Sequence, residues 1–186
     1  VVKSGNELMA YRRELIPRLA EQATEAFGRI APEAEELQLG YQPRVKNDFV
    51  EELKRVRERE LSQGATLIGP HRDELKLQLN DKSVADYASE GQKRTVAIAL
   101  KMAQAEHLTE AHGAPPVLLI DDVMGELDAK RRAGFLPLLE RSGHGRGQVF
   151  MTCTEENWPS ELGEKLNRWQ VEGRQLSPVD GNNPAG

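Results

Sequence analysis

Residues 117–122 read Val-Leu-Leu-Ile-Asp-Asp, a run of four apolar residues that ends in two adjacent carboxylates. Pro115 and Pro116 precede the run, and the carboxylates belong to Asp121 and Asp122. An apolar run with these boundaries predicts a buried strand of a parallel sheet. Because parallel sheets bind ligands at their carboxyl edge, this strand would deliver two acids to a binding site.

Two acids at the end of a strand suit phosphoryl-transfer chemistry. One carboxylate can hold Mg²⁺ while the other orients an attacking water. The order along the strand assigns Asp121 to the metal, directly or through water, and Asp122 to the water as the candidate base. The alternative is a strand that runs into an acidic turn and merely caps the next helix.

A second informative segment, Ser89-Glu90-Gly91-Gln92, opens a helix with an apolar stripe. The pattern Ser-x-x-Gln predicts a capping box, in which the serine side chain accepts from the backbone N–H of the fourth residue. A helix N-terminus with free N–H groups, a hydroxyl and a glycine can also bind phosphate. The two interpretations are compatible.

These segments together resemble the C-terminal part of the RecF family of DNA repair proteins, which are ABC-type ATPases related to SMC and Rad50. The resemblance rests on Ser89-x-Gly-Gln-x-Arg-Thr-x-Ala-x-Ala-Leu-Lys and on Leu-Ile-Asp-Asp-Val-x-x-Glu-Leu-Asp128. Residues 69–73, Gly-Pro-His-Arg-Asp, and residues 147–152 share it. It is strong over residues 60–155, whereas residues 1–60 match only in general character.

The resemblance implies a role for each matching residue. Ser89, Gly91 and Gln92 match the ABC signature motif, which in this family contacts the γ-phosphate of ATP held by the opposite subunit. Asp121 matches the Walker B acid that serves Mg²⁺. Asp122 stands where most relatives have a catalytic glutamate, and this shorter side chain suggests slow hydrolysis.

The segment after the two acids matches the D-loop, which crosses the dimer interface in this family. It consists of Gly125, Glu126, Leu127 and Asp128. The family usually has a small hydroxyl residue in place of Gly125, so a hydrogen bond from that side chain is not expected here. Asp128 could instead cap the following helix. The switch position after the strand at residues 149–152 would be Thr152 or Thr154.

The fold that the resemblance implies is α/β: the C-terminal part of an ABC-type (P-loop NTPase) head, with a helical arm called lobe II inserted at its N-terminal side. We expect the arm at residues 1–62, the head at 63–176 and a disordered tail at 177–186. The alternative for residues 1–62 is a small helical subdomain. No Gly-x-x-x-x-Gly-Lys-Ser/Thr occurs, so we expect a fragment whose ATP-binding half lies upstream and which is inactive alone.

Periodicity predicts the individual elements. Apolar residues at three- and four-residue steps indicate a long helix over residues 6–30, which Pro17 should kink. Asp48 and Glu51 form a capping box for a second helix that Gly64 should end, packed antiparallel to the first. Strands are expected at residues 37–41, 66–68 and 75–79, with a turn at 80–81, and a closing hairpin at 169–176.

Basic side chains are candidates for contacts with DNA or phosphate. His71 and Arg72 lie on a Gly-Pro loop, where Arg72 could reach phosphate or could pair with Asp73 or Glu74. Lys93 and Arg94 lie in the first turn of the signature helix, where cations oppose the helix dipole and call for an anionic partner. Further clusters at residues 54–59 and 130–132 have the alternative of being solvated helix faces.

The composition of the chain limits how it could bind DNA and where in the cell it could work. Among 186 residues, 38% are hydrophobic and 30% are charged, and the net charge of −5 means that DNA binding must rest on local patches. No apolar stretch approaches the roughly 18 residues that span a bilayer. The single cysteine, Cys153, permits no internal disulfide and is expected to be a buried structural thiol. These features favour the cytoplasm and no membrane partner.

The function that the resemblance implies is an ATP-dependent DNA-binding protein of recombinational repair, replication-fork restart and the SOS response. ATP and Mg²⁺ would drive homodimerisation that clamps DNA at single-strand gaps, and RecR and RecO would be partners. Alternatives are another SMC- or Rad50-like ATPase, with a longer arm, or a non-hydrolytic interaction module. A transporter ATPase fits less well, since the signature lacks the usual second glycine before Gln92.

Overall fold

The computed structural model of the chain describes residues 1–31, 35–143, 147–154, 158 and 167–179. Helices and strands are mixed along these residues. The helices are α1 (Val2–Ile30), α2 (Phe49–Gln63), α3 (Val84–Tyr87), α4 (Glu90–His112), α5 (Val123–Glu126) and α6 (Ala129–Gly143), and Pro70–Arg72 form a 3₁₀ turn. The strands are β1 (Leu37–Gln42), β2 (Glu74–Leu79), β3 (Lys82–Ser83), β4 (Leu118–Asp121), β5 (Val149–Thr152), β6 (Trp169–Glu172) and β7 (Gln175–Pro178).

Strands β1, β2 and β3 form an antiparallel sheet in that order. Leu37 and Leu39 of β1 pair with Leu79 and Leu77 of β2, which confirms both predicted strands, although burial does not alternate along either of them. The turn at residues 80–81 is also confirmed, because both residues have positive φ, as a two-residue type I′ turn requires. No strand forms at residues 66–68, so that prediction was wrong.

Strands β4 and β5 pair in parallel, with Asp121 opposite Thr152. The parallel pairing was predicted, but the complete burial of the strand was wrong. Side chains alternate between half-buried and exposed, and Leu119 is 80% exposed while Phe150 is 57% exposed. One face of this strand pair therefore packs on the core, and the other is uncovered in the described part of the chain.

The main core joins the C-terminal half of α1 to α4 and α6. Phe27 and Ile30 of α1 are buried against Val96 of α4 and Phe135 of α6. A smaller cluster near the start of α1 holds Met9, Val45 and Phe49, and it supplies the predicted contact between α1 and α2. Helix α1 thus contributes residues to both clusters.

This packing bears on the predicted division at residue 62. Strand β1 hydrogen-bonds to β2 across that boundary, and α1 packs more extensively on α4 than on α2. The boundary is therefore not a break in the packing. An arm at residues 1–62 stays a prediction about the complete protein.

Helix ends follow the sequence signals. Asp48 caps α2 by accepting from the N–H of Glu51, and Gly64 ends the helix in the left-handed conformation. The reciprocal bond predicted from the Asp48 N–H to the Glu51 side chain is not seen, so only half of the predicted capping box forms, and Glu52 accepts instead from the N–H groups of Lys46 and Asn47.

The closing hairpin forms as predicted, with Gly173 and Arg174 at its turn. Ser177 and Pro178 lie in β7, so this part of the predicted disordered tail was wrong, and residues 180–186 lie outside the described residues. Every strand residue of the hairpin is exposed. Among the helices that the structure describes, none is both long and apolar enough to cross a membrane.

Candidate functional site

The two adjacent carboxylates lie at the carboxyl end of β4, beside the end of β5. The hydroxyl of Thr152 donates to Oδ1 of Asp121. The N–H of Asp122 donates to the Thr152 backbone oxygen at 3.1 Å and to its hydroxyl oxygen at 3.2 Å. One threonine therefore contacts both acids, and it occupies one of the two predicted switch positions.

The backbone of Asp122 is in the left-handed region, with φ of 49°. This conformation costs free energy for a residue with a Cβ, although Asp tolerates it better than most. Both acids are exposed to solvent. Strain of this kind at the end of a strand often marks a functional position, because it aims a side chain that a relaxed backbone would turn elsewhere.

The predicted capping box at the start of α4 is present in full. The N–H of Gln92 donates to the hydroxyl oxygen of Ser89 at 3.2 Å, and the N–H of Ser89 donates to Oε1 of Gln92 at 2.7 Å. We call residues 89–92 the signature turn. Ser89 is exposed, and the N–H groups of Glu90 and Gly91 belong to the first helical turn, which has no intrahelical acceptors.

A residue outside the predicted motifs also touches the signature turn. Nε2 of Gln92 donates to Oε1 of Glu35, which lies just before β1. Oε2 of Glu35 is buried and has no hydrogen-bond partner among the described residues. No local sequence pattern indicates this contact, because it joins positions 57 residues apart.

The first turns of α4, which include residues of the signature turn, lie against the predicted D-loop segment, residues 125–128, and against the start of α6. Nε of Arg94 lies 3.1 Å from Oε2 of Glu126. A Cβ placed on Gly91 would lie 3.6 Å from Nη1 of Arg131 in α6, so the arginine packs on the glycine. Arg131 in turn pairs with Asp128.

The D-loop segment itself is held from both sides. Leu127 is buried in the core, and Asp128 caps α6 by accepting from the N–H of Arg131 at 2.8 Å. That backbone hydrogen bond, together with the positive charge of Arg131, lowers the pKa of Asp128. The local capping role considered for Asp128 is thus present. Gly125, in the short helix α5, offers no side chain, as expected.

The two cations that follow the signature turn, Lys93 and Arg94, have partners within the chain. Nζ of Lys93 lies 3.1 Å from a carboxylate oxygen of Glu90, and Arg94 pairs with Glu126. All of these side chains are partly exposed. The anionic partner expected for Lys93 and Arg94 is therefore supplied by neighbouring glutamates in this structure, and a role toward phosphate or DNA stays a prediction.

The Gly-Pro loop is pinned by Thr66. Arg72 donates to the Thr66 backbone oxygen from Nη2 at 3.0 Å and from Nε at 3.3 Å. Nε2 of His71 lies 3.0 Å from the Thr66 hydroxyl. Pairing of Arg72 with Asp73 or Glu74 was considered from the sequence and is not seen.

Asp73 is instead the buried centre of a polar cluster. It accepts from the hydroxyl of Tyr41, from Nη1 of Arg12 at 3.2 Å and from the N–H of Arg44 at 2.9 Å. Its side chain is 1% exposed. Burial, followed by the hydrogen bond to Asp73, raises the pKa of Tyr41. This cluster joins α1, β1 and the start of β2.

The remaining predictions for this region concern the single cysteine and a metal ion. Cys153 is a free thiol that is only partly buried, so the full burial expected for it was wrong, and this partial burial raises its pKa. Within the described ranges, no group of three or more His, Cys, Asp and Glu residues could hold a metal ion. Asp121 and Asp122 still fit Mg²⁺, because that ion is often held by one or two carboxylates together with phosphate oxygens.

Comparison with known proteins identifies relatives over nearly the whole chain. A DNA replication and repair protein RecF from Lactococcus lactis subsp. cremoris (strain MG1363) is 37% identical over 171 residues, which are 92% of this chain and 46% of that protein. RecF of Synechocystis sp. (strain PCC 6803) is 36% identical over 196 residues, covering 97% of this chain and 50% of that protein. The chain spans about half the length of the curated relatives it matches. No protein-family model matches it.

Solved structures share the fold. The recombination mediator protein RecF with ATPrS, of the RecFOR pathway, superposes with a TM-score of 0.74 at 24% identity, over 96% of this chain and 48% of that one. The SmcHead bound to the C-winged helix domain of ScpA gives a TM-score of 0.53 at 16% identity, over 88% of this chain and 42% of that one. The predicted fold, the C-terminal part of an ABC ATPase head, is confirmed.

Proposed function

Because the chain is a relative of RecF proteins and matches their C-terminal half, we propose that it is the C-terminal part of an ATP-dependent DNA-binding protein of recombinational repair. In the complete protein, two copies would hold ATP between them. ATP binding would close the dimer on DNA, and slow hydrolysis would release it. The chain alone would supply only one face of each ATP site.

The observation that carries this proposal is the contact of the first turns of α4, which include residues of the signature turn, with the D-loop segment and the start of α6. The ion pair of Arg94 with Glu126, and the packing of Arg131 on Gly91, hold side by side the two elements expected at the dimer interface. Ser89 is exposed there and presents its hydroxyl beside a helix N-terminus. Such an end attracts the negative charge of a phosphate.

The carboxylate pair supports the hydrolytic part of the proposal. When bound, Mg²⁺ would neutralise the charge on the ATP phosphates. Asp121 would hold the ion, Asp122 would orient the attacking water, and Thr152 would fix the orientation of Asp121 through its hydroxyl. The geometry of the pair suits this division of roles. The Thr152 hydroxyl holds the Asp121 carboxylate by a hydrogen bond, and Asp122 is exposed at the bend after the strand.

DNA contacts are proposed for the arginines of α2, of which Arg55 and Arg59 are four residues apart and lie on the same side of the helix. The chain is acidic overall, so a local patch must supply the attraction to phosphate. Arg55, Arg57 and Arg59 are exposed and form no ion pair with any residue that the structure describes. The proposal also includes the partners and the DNA target that are expected from the family. The partners are RecR and RecO, and the DNA target is single-strand gaps.

The test is the substitution Ser89→Arg in the full-length protein, with ATP-dependent dimerisation measured by light scattering. The bulky cation should block the approach of the second subunit, whereas ATP binding by the isolated subunit should persist. Ser62→Arg is the matched control, because Ser62 is an exposed serine on α2, away from the signature turn. Dimerisation that survives Ser89→Arg would refute the proposal.

A further inference from the structure

We propose that Glu35 is a positioning residue for ATP-dependent dimerisation, acting through Gln92 of the signature turn. This inference rests on the proposed function and extends it to a residue outside the motifs. The observation behind it is the hydrogen bond from Nε2 of Gln92 to Oε1 of Glu35.

The Gln92 side chain has both of its polar atoms occupied. Its Oε1 accepts from the N–H of Ser89, and its Nε2 donates to Glu35. An amide that is held at both atoms keeps a single orientation. The Ser89 hydroxyl and the N–H groups of Glu90 and Gly91 are then left to face a phosphate.

The hydrogen bond to Glu35 is of a strong kind. A carboxylate acceptor makes a shorter and stronger hydrogen bond than a neutral one. Both side chains are partly buried, so competition from water is reduced. Without Glu35, Gln92 would regain rotamer freedom, and the capping bond that it makes to Ser89 would weaken.

The place of Glu35 in the chain gives the contact a second consequence. Glu35 lies between α1 and β1, within the region expected to form the arm. The C-terminal half of α1 packs against α4, which begins at the signature turn. A displacement of α1 relative to α4 would therefore act on Gln92 through Glu35, and this coupling would connect the arm to the ATP site.

The first experiment measures dimerisation and ATP binding separately in the full-length protein. Glu35→Ala should raise the ATP concentration needed for half-maximal dimerisation about tenfold, as expected for loss of one charge-assisted hydrogen bond. Binding of ATP to the monomer should remain within about twofold of the unaltered protein, because the phosphate-cradling loop in the same subunit is untouched. Glu35→Gln should restore most of the dimerisation, since an amide oxygen can also accept from Gln92.

Glu36→Ala is the matched control. Glu36 is the next residue and is exposed, and its carboxylate makes only a 3.5 Å contact with Gln38. This variant should behave as the unaltered protein does. Equal dimerisation of the Glu35→Ala and Glu36→Ala variants would overturn the inference.

A second experiment uses the present chain and needs no ATP. The side-chain amide protons of Gln92 should exchange with solvent faster in Glu35→Ala than in the unaltered chain, as followed by NMR. Unchanged exchange would also overturn the inference. The Ser89→Arg variant separates the two proposals: if it leaves dimerisation intact, the proposed function fails, and if it abolishes dimerisation while Glu35→Ala has no effect, only the role of Glu35 fails.

Discussion

Nε of Arg94 lies 3.1 Å from Oε2 of Glu126, and this ion pair joins the first turn of α4 to the D-loop segment. Both side chains are about half exposed. Ion pairs with this exposure stabilise a fold by only about 0–1 kcal/mol, because water and salt screen the charges. The importance of the pair therefore lies in the alignment of the two segments more than in stability.

A double-mutant cycle should measure this pair. Arg94→Ala and Glu126→Ala are each expected to lower the free energy of unfolding of the chain by less than about 1 kcal/mol, with a coupling energy of about 0.2–1 kcal/mol. Urea denaturation at low and high salt is the measurement. The coupling should shrink at high salt, and a coupling that is independent of salt would contradict an ionic origin.

Gly134 in α6 lies directly against the backbone of α1. A Cβ at this position would overlap the backbone oxygen of Arg29 and would lie 2.9 Å from Cα of Ile30. Backbone atoms cannot move aside as a flexible side chain can, so Gly134→Ala must separate α6 from α1. We expect a loss of about 3 kcal/mol in the free energy of unfolding, at the upper end of overpacking effects.

Gly28→Ala is the control for this prediction. Gly28 lies in α1 directly before Arg29, but a Cβ there would meet nothing within 4 Å. Since alanine favours helices, this variant should be more stable by up to about 1 kcal/mol. Thermal unfolding of both variants checks the pair of expectations, and equal stability would show that α6 does not pack on α1 as described.

The buried cluster around Asp73 should dominate the stability of the sheet formed by β1, β2 and β3. Asp73→Ala would leave the hydroxyl of Tyr41 without its acceptor and would remove the carboxylate partner of Arg12, whose Nη1 would keep only the backbone oxygen of Pro70. The expected loss is about 2–3 kcal/mol by chemical denaturation. The neighbouring variant Glu74→Ala removes an exposed pair with Arg44 and should cost less than about 1 kcal/mol. Similar losses from the two variants would contradict the burial of Asp73.

The stability of the chain should depend on pH in the alkaline range because of Tyr41. Burial and the hydrogen bond to Asp73 raise its pKa in the folded chain above the ordinary value of 10.0. A raised pKa contributes stability that is fully present below pH 10.0 and is lost as the pH rises through the folded-state pKa. The stability difference between the unaltered chain and Tyr41→Phe should therefore be constant near neutral pH and shrink above pH 10.0. A difference that grows with alkaline pH would refute this account.

The features that could be predicted from the sequence are those set by local chemistry. The capping box of Ser89 and Gln92 depends on residues three positions apart, and the cap at Gly64 depends on a single residue without a Cβ. The hairpin of β6 and β7 follows from alternation around Gly173. In these cases one short segment contains both partners of the interaction.

The features that could not be predicted depend on distant partners. The residues around Glu35 in the sequence do not indicate that Gln92 is its partner. The sequence around Gly134 indicates only a glycine within a helix, and not the close contact with the backbone of α1. The apolar run at residues 117–120 predicted burial on both faces, yet Leu119 is exposed. An apolar residue on a strand indicates a surface suited to packing, but it does not specify whether the described part of the chain covers that surface.

Asp122 should show a trade-off between stability and activity. Because its φ is 49°, a glycine would adopt this backbone without strain, whereas alanine would not. Asp122→Gly should therefore raise the free energy of unfolding of the chain by about 0.5–1 kcal/mol, and Asp122→Ala should lower it by a similar amount.

In the full-length protein both variants should lose ATP hydrolysis, since each removes the proposed base. Asp122→Asn, which tolerates the same backbone, should keep the original stability and still lose hydrolysis. If Asp122→Asn hydrolyses ATP at the original rate, Asp122 does not orient the attacking water.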